Sequence, residues 1–279
     1  MKKETRAVLM LLVAGFCWSL GGVLVKTTDA HPLVIASFRS LFGAVVFFVA
    51  LKGRPRLTFS KPQVIGAVGY AATLICFVSS TKMTSAANAI LLQYISPIIV
   101  AVLAYFVLHE RLHWYDFASI AGMLIGLWLI MRGQLDSRSM VGNLVAICGG
   151  IGFALVPICL RLQKDGSPYE TIFLGNILTF LAGLPLLFID PPSLAFLPPV
   201  AFLGIVQLGL PYVVYVAASK NASAVAVSVL PSIEAVLNPI WVFLITHENP
   251  GLGTLIGGAV VLGVITFRAV ASIRDTSPQ

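Results

Sequence analysis

Charged residues in this chain are few and bunched. Between the bunches lie ten apolar runs, at residues 7–26, 32–51, 64–81, 84–106, 114–131, 141–161, 168–189, 198–219, 222–246 and 252–271. A bilayer core about 30 Å thick takes about 20 helical residues to cross, so each run has the length of a transmembrane helix. The runs are continuously apolar, whereas the strands of a membrane β-barrel alternate over about 10 residues. Pro32, Pro62, Pro168, Pro198, Pro199 and Pro250 stand near the starts of runs, where a missing N–H is harmless. Charged side chains make up 10% of the chain. A soluble domain carries about 25%, so this chain cannot cover a water-facing surface. A hydrophobic content of 58% excludes disorder. The net charge of +7 is scattered rather than striped, which argues against nucleic acid as a partner. The sequence predicts an all-α polytopic membrane protein with ten transmembrane helices, surrounded by a lipid bilayer.

Lys and Arg counts in the short loops orient the helices. With the N-terminus inside, the inner segments carry 13 basic residues and the outer loops four, namely Lys26, Lys82, Arg132 and Arg138. Both termini are therefore expected in the cytoplasm, with the chain in a bacterial-type plasma membrane, the inner membrane. The first run has the basic start of a signal peptide. It is longer than a typical apolar region of about 7–15 residues and is read as a span. Cys17, Cys76, Cys148 and Cys159 fall within runs and are expected to be small buried residues, not disulfides or metal ligands.

The sequence also resembles itself. At an offset of 138 residues, Phe77 meets Tyr215, Lys82 meets Lys220, Ser85–Ala86 meets Ser223–Ala224, and His109–Glu110 meets His247–Glu248. With small shifts, Gly15–Trp18 meets Gly150–Phe153, and Ile120–Gly122 meets Ile256–Gly258. Two five-helix repeats follow, at 6–132 and 141–271. Five is odd, so the second repeat enters the membrane from the opposite side. Inverted repeats of this kind are a recurring basis for alternating access around a midplane site.

Several motifs add to this pattern: Gly15–Phe16–Cys17–Trp18–Ser19, Phe38–Arg39, Ser85–Ala86, Pro97, Leu108–His109–Glu110–Arg111–Leu112, and the glycine-rich segments Gly122–Gly126 and Gly257–Gly263. On these residues the chain resembles the drug/metabolite transporter superfamily, in its ten-helix EamA-type branch, over about residues 6–270. The second half departs from the pattern, with Pro231 and Pro239 where a single proline is expected and Asn249–Pro250 after Glu248. The resemblance implies movement of small metabolites, often amino-acid export, although import also occurs.

One motif points elsewhere. His109–Glu110–Arg111–Leu112–His113 fits H-E-x-x-H, which on a helix binds zinc and supplies a general base. An intramembrane zinc protease is the alternative from a different class. Against it, the segment falls in an expected loop, its repeat mate lacks the second His, and no obvious acidic third ligand appears in a span. The chain is read as a non-enzyme with no cofactor and no metal site.

Polar residues within spans are costly and usually face a cavity or a partner. Arg39 and Glu234 are the two charges deep in the runs, both about 11–13 Å below the outer surface at 1.5 Å per helical residue. They are the candidates for ion coupling or counter-charge, either as a pair or in a shared cavity. Asn238 lies one turn beyond Glu234, with Ser232 on an adjacent arc. Trp18 stands near mid-depth, where an interfacial anchor would not. Tyr70 and Phe77 share a face of the third run, Gln207 and Tyr215 one of the eighth, and Asn88 and Tyr94 belong to the fourth. Together, Trp18, Tyr70, Phe77, Asn88, Tyr94, Gln207, Tyr215, Ser232 and Asn238 are the candidate substrate-binding residues. Runs 1, 3, 4, 6, 8 and 9 are expected around the path, with 5 and 10 as peripheral packing helices. Phe77 and Tyr215 are candidate gates at opposite ends.

Such a cavity suits a zwitterionic amino acid with its carboxylate toward Arg39. It equally suits an amine or quaternary ammonium held by aromatic faces, with Glu234 as counter-ion. The expected function is a secondary-active or facilitative transporter of small organic metabolites, an exporter of amino acids or related amphipathic solutes by alternating access. A proton-coupled importer of small amines or quaternary ammonium compounds is the alternative, and a duplicated receptor or scaffold is a third reading. The expected partners are a small metabolite, the bilayer and, as a candidate coupling ion, protons. A monomer or weak homodimer is expected.

Overall fold

The computed structural model describes residues 3–21, 24–25, 28–84, 86–131, 140–164, 166, 168–187, 192–246 and 251–274. Among them the regular structure is entirely helical. After α1 (Lys3–Trp18), α2 (Pro32–Ala50) opens on proline, with His31 Nδ1 accepting from Leu33 N at 3.3 Å. It ends where Lys52 and Gly53 take left-handed φ values of 54° and 70°. That turn lets Gly53 N–H reach Phe48 O at 2.9 Å and caps the helix. α3 (Lys61–Met83) starts beside Pro62, and Gln63 Oε1 accepts from Thr58 and Phe59 N–H at 2.9 and 2.8 Å. Next come α4 (Ala86–Gln93), α5 (Ser96–Val107), α6 (Trp114–Met131), α7 (Met140–Leu162) and α8 (Pro168–Leu187). The chain continues through α9 (Leu197–Phe202), a π-helical segment Leu203–Gly209, and α10 (Leu210–Ser219). It closes with α11 (Ala224–Val229), α12 (Ile233–Thr246) and α13 (Gly251–Arg274).

Six described stretches are long and apolar enough to cross a membrane: Pro32–Ala50, Lys61–Met83, Met140–Leu162, Pro168–Leu187, Leu194–Ser219 and Leu255–Ile273. The fourth and ninth apolar runs are not single helices. The fourth breaks between α4 and α5, and the ninth breaks into a 3-10 turn at Leu230–Ser232 between α11 and α12. Proline explains both breaks. Pro97 has no N–H for Gln93 O, and Pro231 has none for Val227 O. The eighth run absorbs Pro211 differently, by widening into the π segment, where Leu210 N–H reaches Ile205 O five residues back.

Packing pairs the elements in matched sets. α3 lies along α7, and α1 lies along α10 and the π segment. α3 meets α8, and α2 meets the π segment; α7 meets α4 and α5, while α1 meets the Leu230–Ser232 turn and α12. α2 with α8, and α6 with α13, are each their own counterpart. This pairing fits a two-repeat architecture. The contacts at the breaks match as well. An added Cβ at Gly150 would lie 2.8 Å from Gln93 O, and one at Gly15 would lie 2.5 Å from Pro231 O. Gln93 and Pro231 are 138 residues apart, the offset of the sequence repeat.

The exterior is apolar, with Val49, Phe106 and Leu255 largely exposed, whereas Arg39, Gln207 and Asn176 are buried. This is the distribution lipid imposes. Of the four cysteines, all free, Cys159 is buried, Cys17 and Cys76 are half-buried, and Cys148 is exposed. The expectation of uniform cysteine burial therefore fails at Cys148, which sits on the outer face of α7 among apolar neighbours such as Leu144 and Ile151.

Candidate functional site

Side chains from both halves of the chain converge on a narrow central cavity of about 50 Å³. Trp18, Arg39, Phe77, Gln93, Phe153, Gln207, Tyr212 and Glu234 are among its walls. A recess of about 10 Å³, bounded by Tyr94 and Ser96, shares Phe77, Gln93, Phe153 and Glu234 with it.

The two deep charges occupy this cavity without pairing to each other. Arg39, on α2, is 4% exposed. Its Nε and Nη1 have no hydrogen-bond partner, and its guanidinium stands 5.9 Å from the Phe77 ring centroid. Glu234, in the first turn of α12, accepts at Oε1 from Tyr94 Oη at 2.8 Å. The ion pairs among the described residues lie elsewhere. An arginine buried with donors to spare carries a desolvation penalty that only a partner offsets. Inside a membrane protein, that combination makes a candidate for a functional site.

Aromatic rings close one side of the cavity. Trp18 packs against Tyr212 at 4.7 Å, Tyr215 at 5.3 Å and Phe153 at 6.0 Å. Tyr70 meets Tyr212 edge to face at 4.8 Å, and its Oη accepts from Asn176 Nδ2 at 3.3 Å. Gln207 donates from Nε2 to Trp18 O at 3.1 Å and so ties the π segment to α1. Trp18 Nε1, Gln207 Oε1 and Tyr215 Oη are buried with no hydrogen-bond partner.

Trp18, Arg39, Phe77, Gln207 and Glu234 thus line one cavity, and Tyr94 lines its recess. Tyr70 and Tyr215 lie behind the wall, fully buried against Tyr212. Ser232 is not on the wall: its Oγ donates to Val229 O at 2.6 Å, back along its own turn. The side chains of Asn88 and Asn238 lie outside the described residues. Arg39 adds the second run to the expected set around the path. Tyr212 and Phe153 are wall residues that the sequence reading did not select. No helical-period signal pointed to Tyr212, because a regular step carries it off the face of Gln207 and Pro211.

A second hollow, of about 750 Å³, opens where α1 begins and α13 ends, a side called here the N-terminal face. Four of its charges form two ion pairs. Arg161 Nη2 meets Glu110 Oε1 at 2.8 Å, and Glu110 Oε2 accepts from Ala224 N at 3.1 Å. Arg268 Nη2 meets Asp116 Oδ1 and Ser223 Oγ, each at 2.8 Å. The H-E-x-x-H segment belongs to this hollow. His109 has φ 54° and α6 starts only at Trp114, so the two imidazoles do not share a helix face. Glu110, the would-be base, is held by Arg161 and Ala224.

A solved crystal structure has this fold, with a TM-score of 0.81 over 97% of this chain and 99% of its own, at 20% identity. Among curated proteins, a pseudopaline exporter of Pseudomonas aeruginosa is 26% identical over 91% of this chain and 93% of its own. An S-adenosylmethionine uptake transporter of Rickettsia prowazekii is 24% identical over 95% of both chains. An uncharacterised transporter of Bacillus subtilis is 27% identical over 96% of this chain and 92% of its own. The profile of the EamA-like transporter family matches residues 5–132 and again residues 140–268. With its apolar helices, the protein is a multi-pass membrane protein, and it belongs to the EamA-like transporter family.

Proposed function

We propose that this protein exports amino acids or closely related zwitterionic solutes across the bacterial inner membrane by alternating access. It does so as a secondary-active or facilitative carrier. Membership of a transporter family supports transport of small metabolites. The observation that carries the finer reading is the placement of Arg39 and Glu234 on the walls of one cavity without a bond between them. A guanidinium with free donors receives a carboxylate. A carboxylate framed by Tyr94, Tyr212 and Trp18 receives an ammonium. One α-amino acid satisfies both, with its side chain against the aromatic wall. A simple amine would leave Arg39 unsatisfied, which favours the zwitterion over the amine importer. The relatives' names differ in direction, one an exporter and one an uptake transporter. Export is therefore assigned from the family tendency alone.

At about 50 Å³, the cavity is far below the roughly 300–1,000 Å³ of metabolite pockets. The site has to widen to admit a solute, as an alternating-access carrier does between its open states. The matched packing pairs support two inverted five-helix repeats, 6–132 and 141–271, as the moving bodies. Ten spans with both termini in the cytoplasm place the paired charges of the N-terminal face on the inner side. Glu234 is the candidate proton-coupling group, facing Tyr94 in the recess and sharing the cavity with Arg39 and Tyr212.

The test is a thermal-stability screen of the purified protein against amino acids, amines and nucleobases. Flux of the best hit from liposomes at two pH values follows. Stabilisation by free amino acids, lost when the α-carboxylate is blocked and weakened when the α-ammonium is blocked, is expected. Stabilisation by amines alone would overturn the zwitterion reading.

A further inference from the structure

The hydrogen bond between Tyr94 and Glu234 joins the two places where helices are broken. Tyr94 stands in the gap between α4 and α5, and Glu234 follows directly on the 3-10 turn at the head of α12. The residues are 140 positions apart, so the bond ties one half of the chain to the other. Each break is backed by a glycine of the opposite half, Gly150 against Gln93 O and Gly15 against Pro231 O. The joints therefore rest on close backbone contact, and a side-chain bond spans them. The tie sits in the recess of about 10 Å³, too narrow for a solute. Glu234 lines the larger cavity as well, so an ammonium arriving there competes with Tyr94 for the carboxylate.

We propose that the Tyr94–Glu234 bond locks the empty carrier, and that a solute opens the lock by drawing Glu234 from Tyr94 with its own cationic nitrogen. Tyr94 is then a positioning residue. The ammonium separates a solute that is moved from one that is merely held at Arg39. An ammonium brings the carboxylate a full opposite charge where a phenol brings only a dipole, so the exchange of partners runs in the required direction. The inference rests on the zwitterion reading of the same cavity.

The experiment compares net efflux with exchange in proteoliposomes carrying the full chain, using the best-bound amino acid. In wild type, exchange outpaces net efflux, because the empty carrier returns only after the lock opens. Tyr94→Phe removes the tie, and net efflux rises about tenfold toward the exchange rate, the weight of one hydrogen bond to a charged group. Glu234→Gln keeps an acceptor for Tyr94 but no charge for the ammonium, so both fluxes fall. An N-acetylated amino acid binds wild type without being moved. Packing roles alone would lower both fluxes in both variants, and that result overturns the lock. So does equal efflux and exchange in wild type, or transport of the N-acetyl compound at the rate of its parent, and both leave the transport reading standing. Wild type that binds and moves no amino acid removes the zwitterion reading and the lock with it. A second measurement needs no variant. Amide hydrogen exchange at residues 93–96 and 230–235 quickens with the amino acid and not with its N-acetyl form; no difference between the two overturns the lock.

Discussion

The central cavity and the N-terminal face both bury arginines, and they treat them oppositely. On the face, Arg268 is 3% exposed. It engages Asp116 and Ser223 at 2.8 Å each and Ser272 at 3.0 Å, and lies 5.1 Å from the Tyr115 ring centroid. Arg161 meets Glu110 and lies over Ser219 O and Lys220 O, where α10 ends. In the cavity, Arg39 is equally buried, yet its Nε and Nη1 have no partner. The guanidinium fork offers five donors in fixed directions. Where a carboxylate meets the guanidinium, the arginine is a strut; where none does, it is a candidate receptor. Volume alone would choose the face, since its hollow is about 750 Å³ against about 50 Å³ in the centre. The supply of unengaged polar atoms chooses the centre.

That contrast breaks most visibly under substitution of the two buried arginines. Arg268→Met strands Asp116, which is 6% exposed, without its cation. Breaking a buried pair in this way costs about 3–5 kcal/mol. Unfolding in detergent, followed by denaturant or heat, should show the loss whether or not solute is present. Arg39→Met strands nothing. It removes a desolvated charge, so the unfolding midpoint holds or rises, while amino-acid binding weakens about a hundredfold, the typical effect of removing one side of a buried charge contact. Equal destabilisation by the two substitutions would erase the distinction between strut and receptor.

What the sequence reveals and what it hides follow from the same physics. Arg39 and Glu234 are legible because a charge in an apolar run has few explanations. The repeat is legible because Lys82, Lys220 and the two His–Glu pairs interrupt otherwise featureless text. Family membership follows from those residues and is met by the profile match over both halves. The broken fourth and ninth runs are harder to read, because hydropathy is identical on either side of Gln93 and of Pro231. Tyr212 is hidden by the π segment. At a regular helical step Gln207, Pro211 and Tyr215 share a face and Tyr212 stands off it, but a five-residue turn brings Gln207 and Tyr212 together on the cavity wall. Ser232 fails for a similar reason, since the 3-10 turn lets its hydroxyl satisfy itself on Val229 O. Arg161 and Arg268 count only as inner charges in the sequence. Their partners come from segments far along the chain, which no local pattern records.

The smallest expected effect refines the contrast into a gradient. The Arg161–Glu110 pair is only partly buried, at 21% and 18% exposure, whereas Arg268 and Asp116 are at 3% and 6%. Glu110→Gln keeps one carbonyl oxygen to accept from Ala224 N–H or Arg161 Nε and loses the charge. Solvent screening of so exposed a pair leaves a loss of about 1 kcal/mol. Salt should shrink that loss further, because partly exposed pairs are screened and buried ones are not. Unfolding of Glu110→Gln and Arg268→Met at low and high ionic strength separates the cases: a small, salt-sensitive loss for the first and a large, salt-insensitive loss for the second. If Glu110→Gln instead matches Arg268→Met at both salt levels, the face behaves as one cooperative cluster. Its arginines then differ from Arg39 through their shared network rather than through the depth at which each is buried.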